Sequence, residues 1–239
     1  MHAASPKYKL HYFPVRNLGE VIRLIFHYVN QPFADVKISM EDWPSYKSKT
    51  PHGKMPVLKV ESHTLSESYA IARFLARRFG LAGKTDWEKA RADEIADYHK
   101  DVVKDFRPYI YTLAGLEHGD QDALYTQVFL PASRHHFPIY QALIEESKTG
   151  FLAGGVGPTY VDFLVADYFW TIKGFSPDVF NQYPILQKFL ERIYNLPKLK
   201  REPYFFKQFV SIKRSSSSKK SSWKSDAARP SLCSGYRGV

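Results

Sequence analysis

The sequence predicts a small α/β domain followed by an all-helical domain, and three observations set that class. Period-two alternation opens the chain and gives way at once to three- and four-residue spacing. The order β-α-β, a long connection and β-β-α fills the stretch up to Gly80. Beyond Gly80 only helical spacing recurs. Over Tyr8 to Phe13, Tyr8, Leu10 and Tyr12 share one face of a strand. Leu18, Val21, Ile22, Ile25, Phe26 and Val29 then form the apolar stripe of a helix, with Arg23 and His27 away from its centre. Asp35 to Ile38 reads as a second strand. Val57, Leu58 and Val60 read as a third after Pro56, and Thr64 to Leu65 as a fourth across the turn Glu61-Ser62-His63. Ile71, Phe74, Leu75 and Phe79 place an amphipathic helix at about Ser68 to Phe79, and Gly80 stops it.

Thr85-Asp86-Trp87-Glu88 is a capping box, in which the threonine satisfies an orphan amide while the glutamate reaches back, so a long helix starts there and runs towards Phe106. Further helical patterns lie at Ala123 to Pro131, Phe137 to Ser147, Thr159 to Phe169 and Pro184 to Tyr194, the last closed by Pro197. The domains are therefore expected at residues 1–80 and 85–209. Residues 210–239 form a Ser/Lys-rich tail with too little apolar surface to offset the entropy of ordering it, and disorder is expected there.

At 239 residues and 44% hydrophobic, the chain can bury a sizeable core. Met1 to Lys7 lacks the apolar stretch of a signal peptide and no run of eighteen apolar residues occurs, so a soluble cytoplasmic protein is expected. The sole cysteine, Cys233, excludes an intrachain disulfide, a CxxC redox pair and a zinc cluster. His135-His136 lacks further ligand spacing, so no metal is expected. Of 34 basic and 24 acidic residues, seven and one fall in 210–239, which leaves the first 209 residues at only +4. That is a weak electrostatic case for nucleic acid, and any such binding would reside in the tail.

Tyr8-Lys9-Leu10-His11-Tyr12-Phe13, followed by Gly19-Glu20 and Arg23, resembles the opening of sigma-class glutathione transferases, which include the glutathione-dependent prostaglandin D synthases. The resemblance continues, in order and at family spacing, through Glu41-Asp42-Trp43-Pro44, Gly53-Lys54-Met55-Pro56-Val57-Leu58, Glu67-Ser68, Ile71-Ala72-Arg73-Phe74-Leu75-Ala76, Leu81-Ala82-Gly83-Lys84-Thr85, Gly150-Phe151-Leu152 and Thr159-Tyr160-Val161-Asp162. It implies a thioredoxin-like first domain, reduced glutathione as co-substrate with no other cofactor, a homodimer, and an electrophile site in the helical domain.

The roles it implies agree with elementary chemistry. A thiol with a pKa near ~8.5 is mostly protonated at neutral pH, whereas the thiolate is the nucleophile. Tyr12, a phenol still protonated there, can donate a hydrogen bond to the sulfur and favour its anion. Pro56 matches the family's cis-proline, which would turn the Met55 main chain towards the cysteinyl backbone of glutathione. Glu67 and Ser68 open a helix whose free amides attract the γ-glutamyl carboxylate. Trp43 and Lys47 offer donors to the glycyl carboxylate, and Lys54 stands in the same binding motif. Asp101 would reach the partner subunit's glutathione across a two-fold axis. Thr159 and Asp162 match a buried capping box with a role in folding. The electrophile site, by the same resemblance, is lined by Phe13, Val15, Val103 and Tyr109, with further side chains near Tyr168.

Two departures stand out: Asn17 and Leu18 replace a Gly and an Arg, removing a second cation near the sulfur, and Glu67 replaces a Gln. The expected activity is conjugation of glutathione to hydrophobic electrophiles in detoxification. Prostaglandin isomerisation, or binding of glutathione without turnover on the same fold, are the alternatives.

Overall fold

The computed structural model describes residues 7–199. The tail 210–239, including Cys233, lies outside the described residues. Strand β1 (Tyr8–Tyr12) leads through helix α1 (Asn17–Tyr28) to β2 (Ala34–Lys37), and a short helix α2 (Trp43–Lys47) sits in the long connection. Strands β3 (Val57–Val60) and β4 (His63–Ser66) then precede helix α3 (Ser68–Phe79). The sheet order is β2-β1-β3-β4, with β1 parallel to β2 and antiparallel to β3, and β3 antiparallel to β4. This is the thioredoxin-like arrangement expected of the first domain.

Alternation along β1 sends Tyr8, Leu10 and Tyr12 into the core. There they meet α1, whose Val21, Ile22, Leu24, Ile25 and Phe26 are all buried, and α3, which packs against α1. Each large apolar side chain wholly removed from water here contributes roughly 1.5–3 kcal/mol before entropy is counted. Gly80 ends α3 in the left-handed region at φ 74°, a conformation glycine adopts without strain.

The rest of the described chain is helical: α4 (Asp86–Leu113), α5 (Gln121–Leu124), a π-helical turn at Tyr125–Phe129, α6 (Leu130–Ser147), α7 (Tyr160–Phe175), α8 (Pro177–Phe180) and α9 (Pro184–Tyr194). The Thr85 hydroxyl accepts from the Glu88 amide at 3.1 Å and caps α4, while the Glu88 carboxylate reaches back to the Lys84 amide at 2.6 Å. Helix α4 runs a further two turns past Phe106 and carries Pro108 inside it. No helix among the described residues is long and apolar enough to cross a membrane.

Helix α7 is apolar almost all round because it is the core of the helical domain, packed by α1, α4 and α9. Its start is fixed by the capping box: Asp162 accepts from the Thr159 amide at 2.7 Å and from its hydroxyl at 3.0 Å, and with its other oxygen from the Leu152 amide at 2.7 Å. Burial pushes the Asp162 carboxyl up to about 6, against the pull of those donors. A folded-state pKa raised in this way means that the group's contribution to stability falls as pH rises from about 4 to 6. Asp162→Asn replaces one accepting oxygen by an amide nitrogen that faces a donor. A stability loss of about 1–3 kcal/mol at pH 7 is expected from denaturant unfolding.

Candidate active site

The sheet register gathers the site. His11 pairs with Val57 across β1 and β3, and Val57 pairs with Ser66 across β3 and β4. One residue further along each strand, Tyr12, Pro56 and Glu67 emerge together at one end of the sheet. The parallel partner β2 leaves at the same end, through the pair Tyr12 and Lys37, and leads into α2. Four segments distant in sequence are thereby brought to one end of the sheet.

Tyr12 is 3% exposed, and its ring lies on Gly19 of α1: a Cβ at that position would come within 2.9 Å of the ring Cγ and 3.0 Å of Cε1. Burial pushes its phenol well above the ordinary value, with the Tyr111 hydroxyl adding to the rise, while the Leu18 amide and the Arg23 guanidinium pull the other way. The phenol is therefore a protonated donor at any physiological pH. The Leu18 main chain lies on the side of the phenolic oxygen. Leu18 thus supplies a main-chain dipole at the start of a helix where a cationic side chain was expected to be missing.

Charged residues beneath the site hold this loop. Arg23, off the apolar stripe in the sequence, is buried: it donates to Glu20 Oε2 at 3.0 Å, to Asp35 Oδ2 at 3.1 Å and to the Val15 carbonyl at 2.8 Å, with its guanidinium 5.8 Å from the Tyr12 ring centre. Arg16 crosses to the helical domain, where Asp167 Oδ1 accepts from it at 2.6 Å and the Tyr194 hydroxyl at 3.0 Å. Burial pushes the Asp167 carboxyl above its usual range, while the attraction of Arg16 pulls it back down. None of Arg16, Glu20, Asp167 or Tyr194 was a sequence candidate. The available signal was a lone acid at 167 inside an apolar helical run, which a buried cation must match.

The Met55–Pro56 peptide bond is cis, as the resemblance implies, and Met55 stands just before the β3 ladder begins at Val57. Glu67 caps α3 with φ 71°, a sparsely populated conformation for a non-glycine residue, and makes no side-chain capping bond. The first-turn amides of α3, beginning at the buried Ser68, therefore remain open to an anion. The Glu67 carboxylate is exposed, 3.8 Å from His52 Nδ1. Trp43 packs edge-on against Phe13 with ring centres 5.4 Å apart, and the stem of Lys47 lies over Gly53. Lys54 is exposed beside them.

In the helical domain Asp101 points to solvent on α4, whereas Asp97, one turn earlier, is engaged by Arg73 and Lys100, each at 2.7 Å. Of the residues expected around an electrophile, Phe13 is half-buried and Val15 is 40% exposed on the loop after β1. Val103 is half-buried, its carbonyl accepting from Tyr168 at 3.4 Å. Tyr109 sits differently from that expectation: it is buried against Phe129, with ring centres 4.7 Å apart and its hydroxyl 3.2 Å from Ser176 Oγ. Tyr111 stands near Tyr12 instead, its hydroxyl accepting from Asn17 Nδ2 at 3.2 Å. The reason is helical phase: Tyr111 lies about 80° to one side of Val103 on α4, whereas Tyr109 lies about 120° to the other. Among the described residues no cluster of His, Cys, Asp and Glu could hold a metal ion. His136 is engaged by Asp105 at 2.9 Å and Tyr98 at 2.7 Å.

Comparison with known proteins gives this geometry its context. Residues 10–84 match the family described as "Glutathione S-transferase, N-terminal domain", and residues 100–201 match "Glutathione S-transferase, C-terminal domain". The chain is 39% identical over 196 residues to glutathione S-transferase 1 of Ascaris suum, covering 82% of this chain and 95% of the relative. Among solved structures it resembles a monomeric glutathione S-transferase of the hookworm Necator americanus, with TM-score 0.77, 37% identity and coverage of 81% and 94% of the two chains. It also resembles a prostaglandin synthase D of Nilaparvata lugens, with TM-score 0.72, 30% identity and coverage of 82% and 96%.

Proposed function

The chain belongs to the glutathione S-transferase family and is a glutathione transferase, and from that premise we propose that Tyr12 stabilises the thiolate of bound glutathione for attack on hydrophobic electrophiles. The observation that carries this reading is the convergence of Tyr12, the cis Met55–Pro56 bond and the open N-terminus of α3 at one end of the sheet. Glutathione lies along that edge: its γ-glutamyl carboxylate meets Ser68 and the first amides of α3, with Glu67 taking the ammonium. Its cysteinyl backbone pairs with Met55 as an added strand would, and its glycyl carboxylate meets Trp43 and Lys47, with Lys54 alongside.

The sulfur then faces the Tyr12 hydroxyl. The thiol proton leaves to solvent, the phenolic O–H donates to the sulfur anion, and the sulfur forms a bond to the electrophilic carbon. In an aromatic substitution halide departs; in an addition the carbon acceptor takes up a proton. The electrophile enters beside Phe13, Val15, Val103 and Tyr111. Dimerisation, with Asp101 meeting the partner subunit's glutathione, and a cytoplasmic location belong to the same reading.

The test is turnover of chlorodinitrobenzene by the full chain. Conjugation well above the rate of glutathione alone in solution is expected. A protein that binds glutathione yet adds nothing to that rate would be a non-catalytic binder on this fold.

A further inference from the structure

Helix α2 carries Trp43 and Lys47 and has no core of its own. It is five residues long and buries none of them. Within residues 39–50 the side-chain hydrogen bonds are local: Ser39 to Asp42, Ser45 to the Asp42 carbonyl, and Thr50 to the Lys47 carbonyl. Among the described residues, only one side-chain hydrogen bond joins this segment to the rest of the molecule. It runs between the Tyr46 hydroxyl and His11 Nδ1, at 2.6 Å. The two rings also stack, with centres 5.8 Å apart and planes 15° from parallel. His11 is buried on β1 directly before Tyr12, so alternation sets it on the opposite face of the sheet from the phenol, and its other nitrogen, Nε2, has no hydrogen-bond partner among the described residues. Burial, with Lys59 and Lys9 nearby, holds the imidazole below its usual range and keeps it neutral.

We propose that the His11–Tyr46 pair is a positioning device that sets α2 against the sheet and thereby selects a thiol peptide ending in glycine over the dipeptide γ-glutamylcysteine. Tyr46 lies three residues after Trp43 and one before Lys47, so fixing its oxygen fixes both the rotation and the height of a helix of little more than one turn. Trp43 on Phe13 supplies a second point of attachment, and two points define the orientation. Neither His11 nor Tyr46 touches the thiol, so the effect falls on recognition of the glycyl carboxylate and leaves sulfur chemistry alone. This inference rests on the glycyl assignment of Trp43 and Lys47 made above.

The experiment measures dissociation constants of glutathione and γ-glutamylcysteine by calorimetry, together with kcat at saturating glutathione, for wild type, Tyr46→Phe, His11→Leu and His11→Asn. Loss of one neutral hydrogen bond is expected to weaken glutathione about three- to tenfold in Tyr46→Phe and His11→Leu. γ-Glutamylcysteine affinity and kcat should stay within about twofold, so the preference for the tripeptide collapses. His11→Asn keeps a hydrogen-bonding atom at the Nδ1 position and should restore most of that preference. A loosening of the whole domain would instead weaken both ligands alike, and would overturn the proposal. Preference retained in Tyr46→Phe and His11→Leu overturns it while leaving the glycyl assignment intact. A wild type that binds both peptides equally removes the glycyl assignment and the proposal together.

Discussion

Tyr12→Phe is expected to lower kcat for aryl transfer about 10- to 100-fold at pH 7 while glutathione affinity changes less than about threefold. A hydrogen bond to a charged group is worth about 1.5–3 kcal/mol, and one pKa unit corresponds to about 1.4 kcal/mol, so one phenolic donor lowers a bound thiol by roughly one to two units. From a starting value near ~8.5, that takes the thiol from a few per cent ionised at pH 7 to between about a quarter and three quarters. Affinity is spared because the proposed placement holds the peptide at its two carboxylates and its backbone, away from the sulfur. Two features support this role: burial keeps the phenol protonated, and the Arg23 guanidinium stands 5.8 Å from its ring centre. The comparison of kcat and KM for chlorodinitrobenzene conjugation in the two proteins checks it. An unchanged kcat would count against it.

Gly19→Ala is expected to be nearly as damaging, and its sign is informative. Inside an exposed helix, replacing glycine by alanine stabilises by about 0.5–1 kcal/mol, because Gly is the poorer helix former. At position 19 the backbone is ordinary helix, so nothing in φ opposes alanine. The new methyl, however, would enter the Tyr12 ring, with ring carbons at 2.9 and 3.0 Å. The ring is buried between β1 and α1 and must be displaced, at an overpacking cost of about 1–3 kcal/mol. Its hydroxyl then moves off the sulfur, and a displacement on the order of 1 Å costs roughly 10²-fold in rate. Thermal unfolding and kcat measured on the same preparation separate the alternatives. A more stable, fully active Gly19→Ala protein would mean that the ring is free to move without consequence.

Much of the architecture was legible because the local signals agree. The period-two stretch at β1, the apolar stripe of α1 and the αL glycine at Gly80 all mean the same thing in isolation as in the fold, and α3 runs from Ser68 to Phe79 as the pattern predicts. Helix α2 was not legible, since five residues with only Trp43 and Tyr46 partly buried carry no apolar period to read. The two helices read at Ala123 to Pro131 and Phe137 to Ser147 are a continuous run through α5, a π-helical turn and α6. Pro131 lies in the first turn of α6, where its missing N–H costs little, and Pro138 is accommodated inside it. Helix α4 likewise continues through Pro108.

At the site, Tyr12, Met55, Pro56, Glu67 and Ser68, which motif and spacing single out, stand together at one end of the sheet. The supporting charges were not legible, because each answers a tertiary partner: Arg23 of α1 meets Asp35 of β2, and Arg16 meets Asp167 from 151 residues away. Tyr109 is packed against Phe129, whereas Tyr111, two residues on, stands near Tyr12, a difference of helical phase that the sequence does not display.

The most direct measurement is the pH titration of the thiolate absorbance of bound glutathione in wild type and Tyr12→Phe. Half-ionisation near pH ~7 in wild type, rising by at least about one unit in the variant, is the expected result. The same midpoint in both proteins would mean that the Tyr12 proton does not hold the sulfur ionised.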